Sequence, residues 1–202
     1  MSINLIEHKQ KMLESYGAGA KGTCSYSVNW SSKYLNDAKR YESVLDVGCG
    51  DGSFCLQCAT SGGKIQKVYG LDPASIANGH VKAHNKITYL DSWSHEIPLP
   101  DKSVDIIVTC EVLEHVPEEF VHKTLQEFQR VTKCKIYGQI ATRLSGEWYS
   151  GYRGDGDHKG QVNAHLCVKD QGWWLDRFKR AGLKIDSAQE NLGQGFSFVA
   201  SV

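Results

Sequence analysis

The chain has 202 residues, 41% of them hydrophobic, with 23 basic and 23 acidic side chains and therefore no net formal charge. That length fits one domain with a real core. The charge balance argues against a broadly basic surface for nucleic acid or anionic lipid, and no apolar run approaches the ~20 residues of a bilayer span.

The opening MSINLIEHKQKMLESY is amphipathic and charged, unlike a secretory leader. Ile6, Met12 and Leu13 give it an apolar side, so residues 1–15 read as a helix. YGAGAKG (16–22) is a glycine-alanine stretch. Ser31 and Ser32 then read as caps for a helix over 33–41. Val44, Leu45 and Val47 end a buried strand, which breaks into Gly48-Cys49-Gly50-Asp51-Gly52 before a helix beginning at Ser53. A second strand, 65–71, ends at Asp72-Pro73, ahead of a helix predicted over 74–84. A short third strand, 87–90, runs into Asp91-Ser92-Trp93, and Pro98 and Pro100 mark a loop.

The run 103–110 is continuously apolar, as a central parallel strand covered on both faces must be. It leads into Glu111-Val112-Leu113-Glu114-His115. Phe120, Leu125, Phe128 and Val131 recur at helical intervals over 118–131, and 135–141 is the fifth strand. Residues 142–164 form a long polar stretch with Trp148, Tyr149, Tyr152, Arg153, Asp155, Asp157 and His158. Long loops in compact domains are usually functional or disordered. After an extended piece at 165–168, Asp170 caps a helix that Gly182 ends. Two closing strands, 183–187 and 196–202, meet at a glycine-rich turn. The expected fold is a single doubly wound α/β domain. It has a seven-stranded, mostly parallel sheet, helices on both faces and an antiparallel C-terminal hairpin.

Strand, glycine turn and helix N-terminus together make a nucleotide pocket. Ser53 departs from the dinucleotide spelling G-x-G-x-x-G/A. Asp72, roughly 20 residues past the turn, is placed to accept ribose hydroxyls, chemistry that serves any adenosine cofactor. The seven cysteines are an odd count, and five lie within apolar patterns. That reads as a reduced, intracellular, cytoplasmic chain. Cys55 and Cys58 form a C-x-x-C without a second pair, so they read as core.

VLDVGCGDGSF (44–54) resembles motif I of the class I S-adenosylmethionine-dependent methyltransferases, and DIIVTCEVLEHVP (105–117) resembles their strand-four motif. The resemblance implies S-adenosylmethionine as methyl donor. Asp46 would hold its cationic amino-acid end, with Gly48, Cys49 and Gly50 turning beneath it. Asp72 and Pro73 would meet the ribose, Asp91 and Ser92 the adenine, and Glu111 would lie by the cofactor. Residues 1–42 would form a lid or cover, 43–141 the cofactor half, 142–165 the substrate loop and 166–202 the closing helix and hairpin.

The expected reaction is in-line methyl transfer to the oxygen of a small-molecule or glycan-like hydroxyl acceptor. His115 and His165 are the best-placed catalytic bases, with Asp155, Asp157 and His158 behind them. Glu111, Glu114 and His115 stand at i, i+3 and i+4 and share a face if that turn is helical; His165 would add a fourth metal ligand. This pattern resembles the magnesium or manganese site of the small-RNA 3′-terminal 2′-O-methyltransferases, and a related stretch occurs in polyprenol-ring O-methyltransferases. In relatives not known to need a metal, the first Glu of this pattern lies by the cofactor and the others are structural. An RNA 2′-O-methyltransferase would need a basic groove, which the neutral charge disfavours. A non-catalytic cofactor-binding protein would be expected to have lost the cofactor residues. Neither nucleic acid nor membrane is an expected partner.

Overall fold

A computed structural model describes residues 28–74, 76, 81–144, 148–150 and 161–202. The predicted helix over 1–15, the stretch 16–22 and most of the substrate loop lie outside those residues. The seven main strands are β1 (Ser43–Val47), β2 (Lys67–Leu71), β3 (Ile87–Leu90), β4 (Val104–Cys110), β5 (Thr132–Ala141), β8 (Lys184–Glu190) and β9 (Gly195–Ser201). They form one sheet in the order β3-β2-β1-β4-β5-β9-β8. The first five pair in parallel, and the β8–β9 hairpin closes the sheet antiparallel against β5. The expected seven-stranded doubly wound sheet is therefore the one observed.

Successive side chains of a strand point to opposite faces, and the central strands bury both. Val44, Ile106, Val108 and Cys110 pack with Phe54, Cys55 and Cys58 of α1 (Ser53–Thr60). Leu45, Val47 and Ile107 pack on the other face. Their partners there include Leu125 and Phe128 of α2 (Glu118–Val131) and Trp174 and Phe178 of α3 (Gln171–Arg180). Cys55 and Cys58 are buried and unbridged, as core residues should be. Asp170 caps α3 by accepting from the Trp173 amide at 2.7 Å. No helix among the described residues is long and apolar enough to cross a membrane.

Four local expectations are corrected. Among the described residues the helical segment before β1 already covers 28–32 and ends at Ala38 rather than 41. Ser32 lies inside it, donating to the Val28 carbonyl at 2.6 Å instead of capping. β2 begins at Lys67 rather than 65. The helix predicted over 74–84 is absent at 81–84. There Lys82 is drawn onto the glycine turn, its amide donating to the Asp51 carbonyl and its ammonium pairing with the Asp51 carboxylate at 2.9 Å. Finally, the stretch expected as loop contains β6 (Trp148–Ser150) and β7 (Gln161–Asn163), which pair as a two-stranded antiparallel ribbon.

Arg130, near the end of α2, ties down the proline loop. It donates to the carbonyls of Ile97 and Leu99 at 2.9 and 2.7 Å and to Asp101 and Glu127. Bonds from a charged donor to carbonyls are worth more than exposed ion pairs. Arg130→Met should therefore cost about 1–3 kcal/mol, read as a lower urea midpoint.

Candidate active site

The strand order places a topological switch between β1 and β4, because the chain winds outward through β2 and β3 and then returns to β1's other side. Open α/β sheets hold ligands in that crevice, beyond the carboxyl ends of the strands. The predicted cofactor residues stand along this edge. Asp46 lies in β1, and Gly48, Cys49 and Gly50 follow it; Asp72 and Pro73 follow β2, Asp91 and Ser92 follow β3, and Glu111 follows β4.

The glycine turn is held from several sides. The amides of Gly48 and Cys49 both donate to the Leu71 carbonyl. Gly50 donates its amide to Asp72 at 3.1 Å, and the other Asp72 oxygen accepts from Ala74 at 2.9 Å. Asp72 thus ties the turn to the end of β2. Gly48 has φ +73°, and a Cβ there would overlap a methyl of Val112. Beneath the turn Asp46 is 3% exposed, and the Cys55 thiol donates to it at 3.5 Å. Burial pushes its carboxyl up to about 8, the thiol bond opposes this, and the neighbouring Asp72 and Asp51 add to it.

Beyond β4 the expected helical turn is not α-helical. Glu111 has φ +58°, and a single 3₁₀ turn spans Leu113–His115. Glu111 is thereby turned out of the group. Its carboxylate accepts from the Gln139 amide nitrogen at 2.9 Å, and burial raises its pKa. Glu114, His115 and His165 do come together, with one potential ligand atom of each within 4.8 Å of the others. The two imidazoles meet edge to face at 4.9 Å between centroids. His115 Nδ1 lies 2.9 Å from the Ala164 carbonyl and His165 Nδ1 lies 2.6 Å from the Arg143 carbonyl. A carbonyl only accepts, so both Nδ1 atoms carry protons.

Glu114 is fully buried, and neither carboxylate oxygen has a hydrogen bond of normal geometry. Burial, and then Glu111, push its pKa well above the usual range; the nearby backbone amides of Glu114 and Ala141 oppose this only in part. Asp155, Asp157 and His158 lie outside the described residues.

The sequence reading missed a polar network beside Glu111. Gln139 is 1% exposed within β5, and its Oε1 accepts from Lys33, Asn191 and Ser197. Lys33 lies over the Trp30 and Tyr34 rings, and burial lowers its pKa. The available signal was a glutamine inside the apolar run KIYGQIA.

A parallel sheet with a glycine turn at its switch point and acids at consecutive strand ends defines a Rossmann-like cofactor domain. A family model described as a methyltransferase domain matches residues 44–135. In this match, in its sequence motifs and in its sheet order the chain is similar to the class I S-adenosylmethionine-dependent methyltransferases.

Norajmaline N-methyltransferase of Rauvolfia serpentina is 28% identical over 119 residues, 56% of this chain and 40% of that protein. A ubiquinone biosynthesis O-methyltransferase of Rickettsia canadensis is 29% identical over 138 residues, 61% of this chain and 58% of the other. The chain thus spans about half the length of the curated relatives it matches. The fold is also that of the Burkholderia thailandensis 1,6-didemethyltoxoflavin-N1-methyltransferase, solved with 1,6-didemethyltoxoflavin and S-adenosylhomocysteine. That structure has a TM-score of 0.68 and 13% identity, over 100% of this chain and 91% of that one.

Proposed function

We propose that the chain transfers the methyl group of S-adenosylmethionine to an oxygen of a small hydroxylated acceptor. The observation that carries this reading is the pair His115 and His165, set edge to face with each Nδ1 tied to a carbonyl, which fixes both rings beside the end of β4. Asp46, the glycine turn, Asp72, Asp91 and Glu111 hold the cofactor in this reading. The acceptor oxygen forms its bond to carbon as the methyl–sulfur bond breaks, and sulfur keeps the bonding pair. The hydroxyl proton passes to an imidazole Nε2, the step that general-base catalysis accelerates by about 10²–10⁴-fold. The remaining acceleration comes from alignment of the two reactants. Small-molecule acceptors accord with the names of two relatives, the norajmaline N-methyltransferase and the ubiquinone biosynthesis O-methyltransferase.

The Glu114 carboxylate favours a second reading of the same trio. A fully buried acid whose oxygens lack regular hydrogen bonds is costly, and a divalent cation beside two Nε2 atoms would offset that cost. Nitrogen-rich ligands suit manganese better than magnesium, which prefers oxygen. Glu114, His115 and His165 would hold such an ion, which would lower the pKa of an acceptor hydroxyl.

Titration calorimetry with S-adenosylhomocysteine, with and without manganese, tests both readings. Binding is expected in either condition; its failure in both overturns the cofactor assignment. A separate manganese isotherm that disappears in His165→Ala is the expected result for the metal reading, and no manganese isotherm in the wild type overturns it.

A further inference from the structure

We propose that Gln139 is a positioning residue for the cofactor: its side-chain amide holds the Glu111 carboxylate at the carboxyl end of β4. The inference rests on the reading that Glu111 lies by S-adenosylmethionine.

The orientation of the amide is fixed by its neighbours. Oε1 accepts from Lys33 Nζ at 3.2 Å, Asn191 Nδ2 at 3.1 Å and Ser197 Oγ at 3.3 Å. Two of these groups, an ammonium and an amide NH₂, can only donate. A flipped amide would turn its own NH₂ against them. The carbonyl end therefore faces the donors, and Nε2 is left to donate to Glu111 Oε1 at 2.9 Å. The Glu111 amide also donates to the Gln139 carbonyl at 3.0 Å. Both the backbone and the carboxylate of Glu111 are thus tied to one residue.

Two features make this arrangement more than incidental packing. Glu111 holds φ +58°, a conformation that costs a non-glycine residue energy and persists only where surroundings impose it. Gln139 places a polar amide between Gly138 and Ile140 in a buried strand, where an aliphatic side chain would satisfy the core alone. Val112, next to Glu111 in the chain, fills the space beside Gly48, so the segment that Gln139 ties down packs against the turn. The three donors come from the 28–38 segment and from the β8–β9 hairpin, far apart in sequence. The hub therefore registers the two ends of the described chain against the cofactor crevice.

The test is S-adenosylhomocysteine affinity, by calorimetry, for the wild type, Gln139→Met, Glu111→Gln and the double variant. Each single change should weaken binding about tenfold, the loss of one hydrogen bond to a charged group. The double variant should bind no worse than Glu111→Gln alone, because Gln139 acts through Glu111. Gln139→Glu provides a variant of nearly the same size. It still accepts from Lys33, Asn191 and Ser197 but sets a second acidic group against Glu111 in place of the NH₂, so a loss of at least about tenfold is expected. Wild-type affinity in Gln139→Glu, or additive losses in the double variant, would overturn the proposal while leaving the cofactor reading intact. No binding by the wild type would instead remove the cofactor reading, and this inference with it.

Discussion

Gly48→Ala is expected to abolish measurable S-adenosylhomocysteine binding and to lower the melting temperature. Two costs add at this position. At φ +73° an alanine sits in the left-handed region, which costs about 1–2 kcal/mol relative to glycine. The new Cβ would also overlap one methyl of Val112 and crowd the other at 3.1 Å. Overpacking of this kind costs about 1–3 kcal/mol. The turn can relieve the overlap only by moving away from β4, which displaces the amides of Gly48 and Cys49 from the Leu71 carbonyl and Gly50 from Asp72. Those displaced atoms line the proposed cofactor seat. A second change separates the two costs. Val112→Ala in the Gly48→Ala background should restore part of the lost melting temperature, because the clash goes and the dihedral strain stays. If Gly48→Ala alone binds S-adenosylhomocysteine like the wild type, the turn does not form the cofactor seat.

The elements set by local chemistry were legible in the sequence. β1, β4 and the first turn of α1 follow from apolar runs broken by glycines, and the capping of α3 follows from Asp170. The acids at the strand ends could be ordered along the sheet because parallel strands of similar length bring their carboxyl ends to one edge.

Elements decided by distant contacts were not legible. Residues 81–84 fall within a stretch of helical spacing, yet Asp51 engages Lys82 there, so a contact from outside the stretch overrides propensity at those residues. Glu111 offered no sign of a positive φ, since glutamate rarely adopts one. That single dihedral removed it from the E-x-x-E-H face and left Glu114, His115 and His165 as the group. The hub residue Gln139 was visible as an oddity in an apolar strand, but Lys33, Asn191 and Ser197 lie 106, 52 and 58 positions away. No local spacing rule could join them.

Asp46 carries a large expected pH effect. Its folded-state pKa of about 8 stands above that of an unfolded chain, near 4. Between those values the folded protein holds a proton that the unfolded chain has released. Stability of the cofactor-free protein should therefore fall as pH rises from about 4 to about 8, then level off. Asp46→Asn removes its share of this dependence, so the variant should melt higher than the wild type at pH 8, with a smaller difference at pH 5.

Binding should run the other way. The ammonium of S-adenosylhomocysteine favours the carboxylate form of Asp46, so at pH 7 binding should release about one proton. Calorimetry in buffers of different ionisation enthalpy counts it. Affinity should increase up to about tenfold per pH unit below 8 and flatten above. Asp46→Asn cannot form that ion pair and turns an NH₂ toward the cation; it should lose about 100-fold in affinity and release no proton. A variant that melts higher at pH 8 and binds less would show that the buried acid is retained for the cation at a cost in stability. Proton uptake on binding, or wild-type affinity in Asp46→Asn, would mean that the cofactor's charge is met elsewhere along the strand ends.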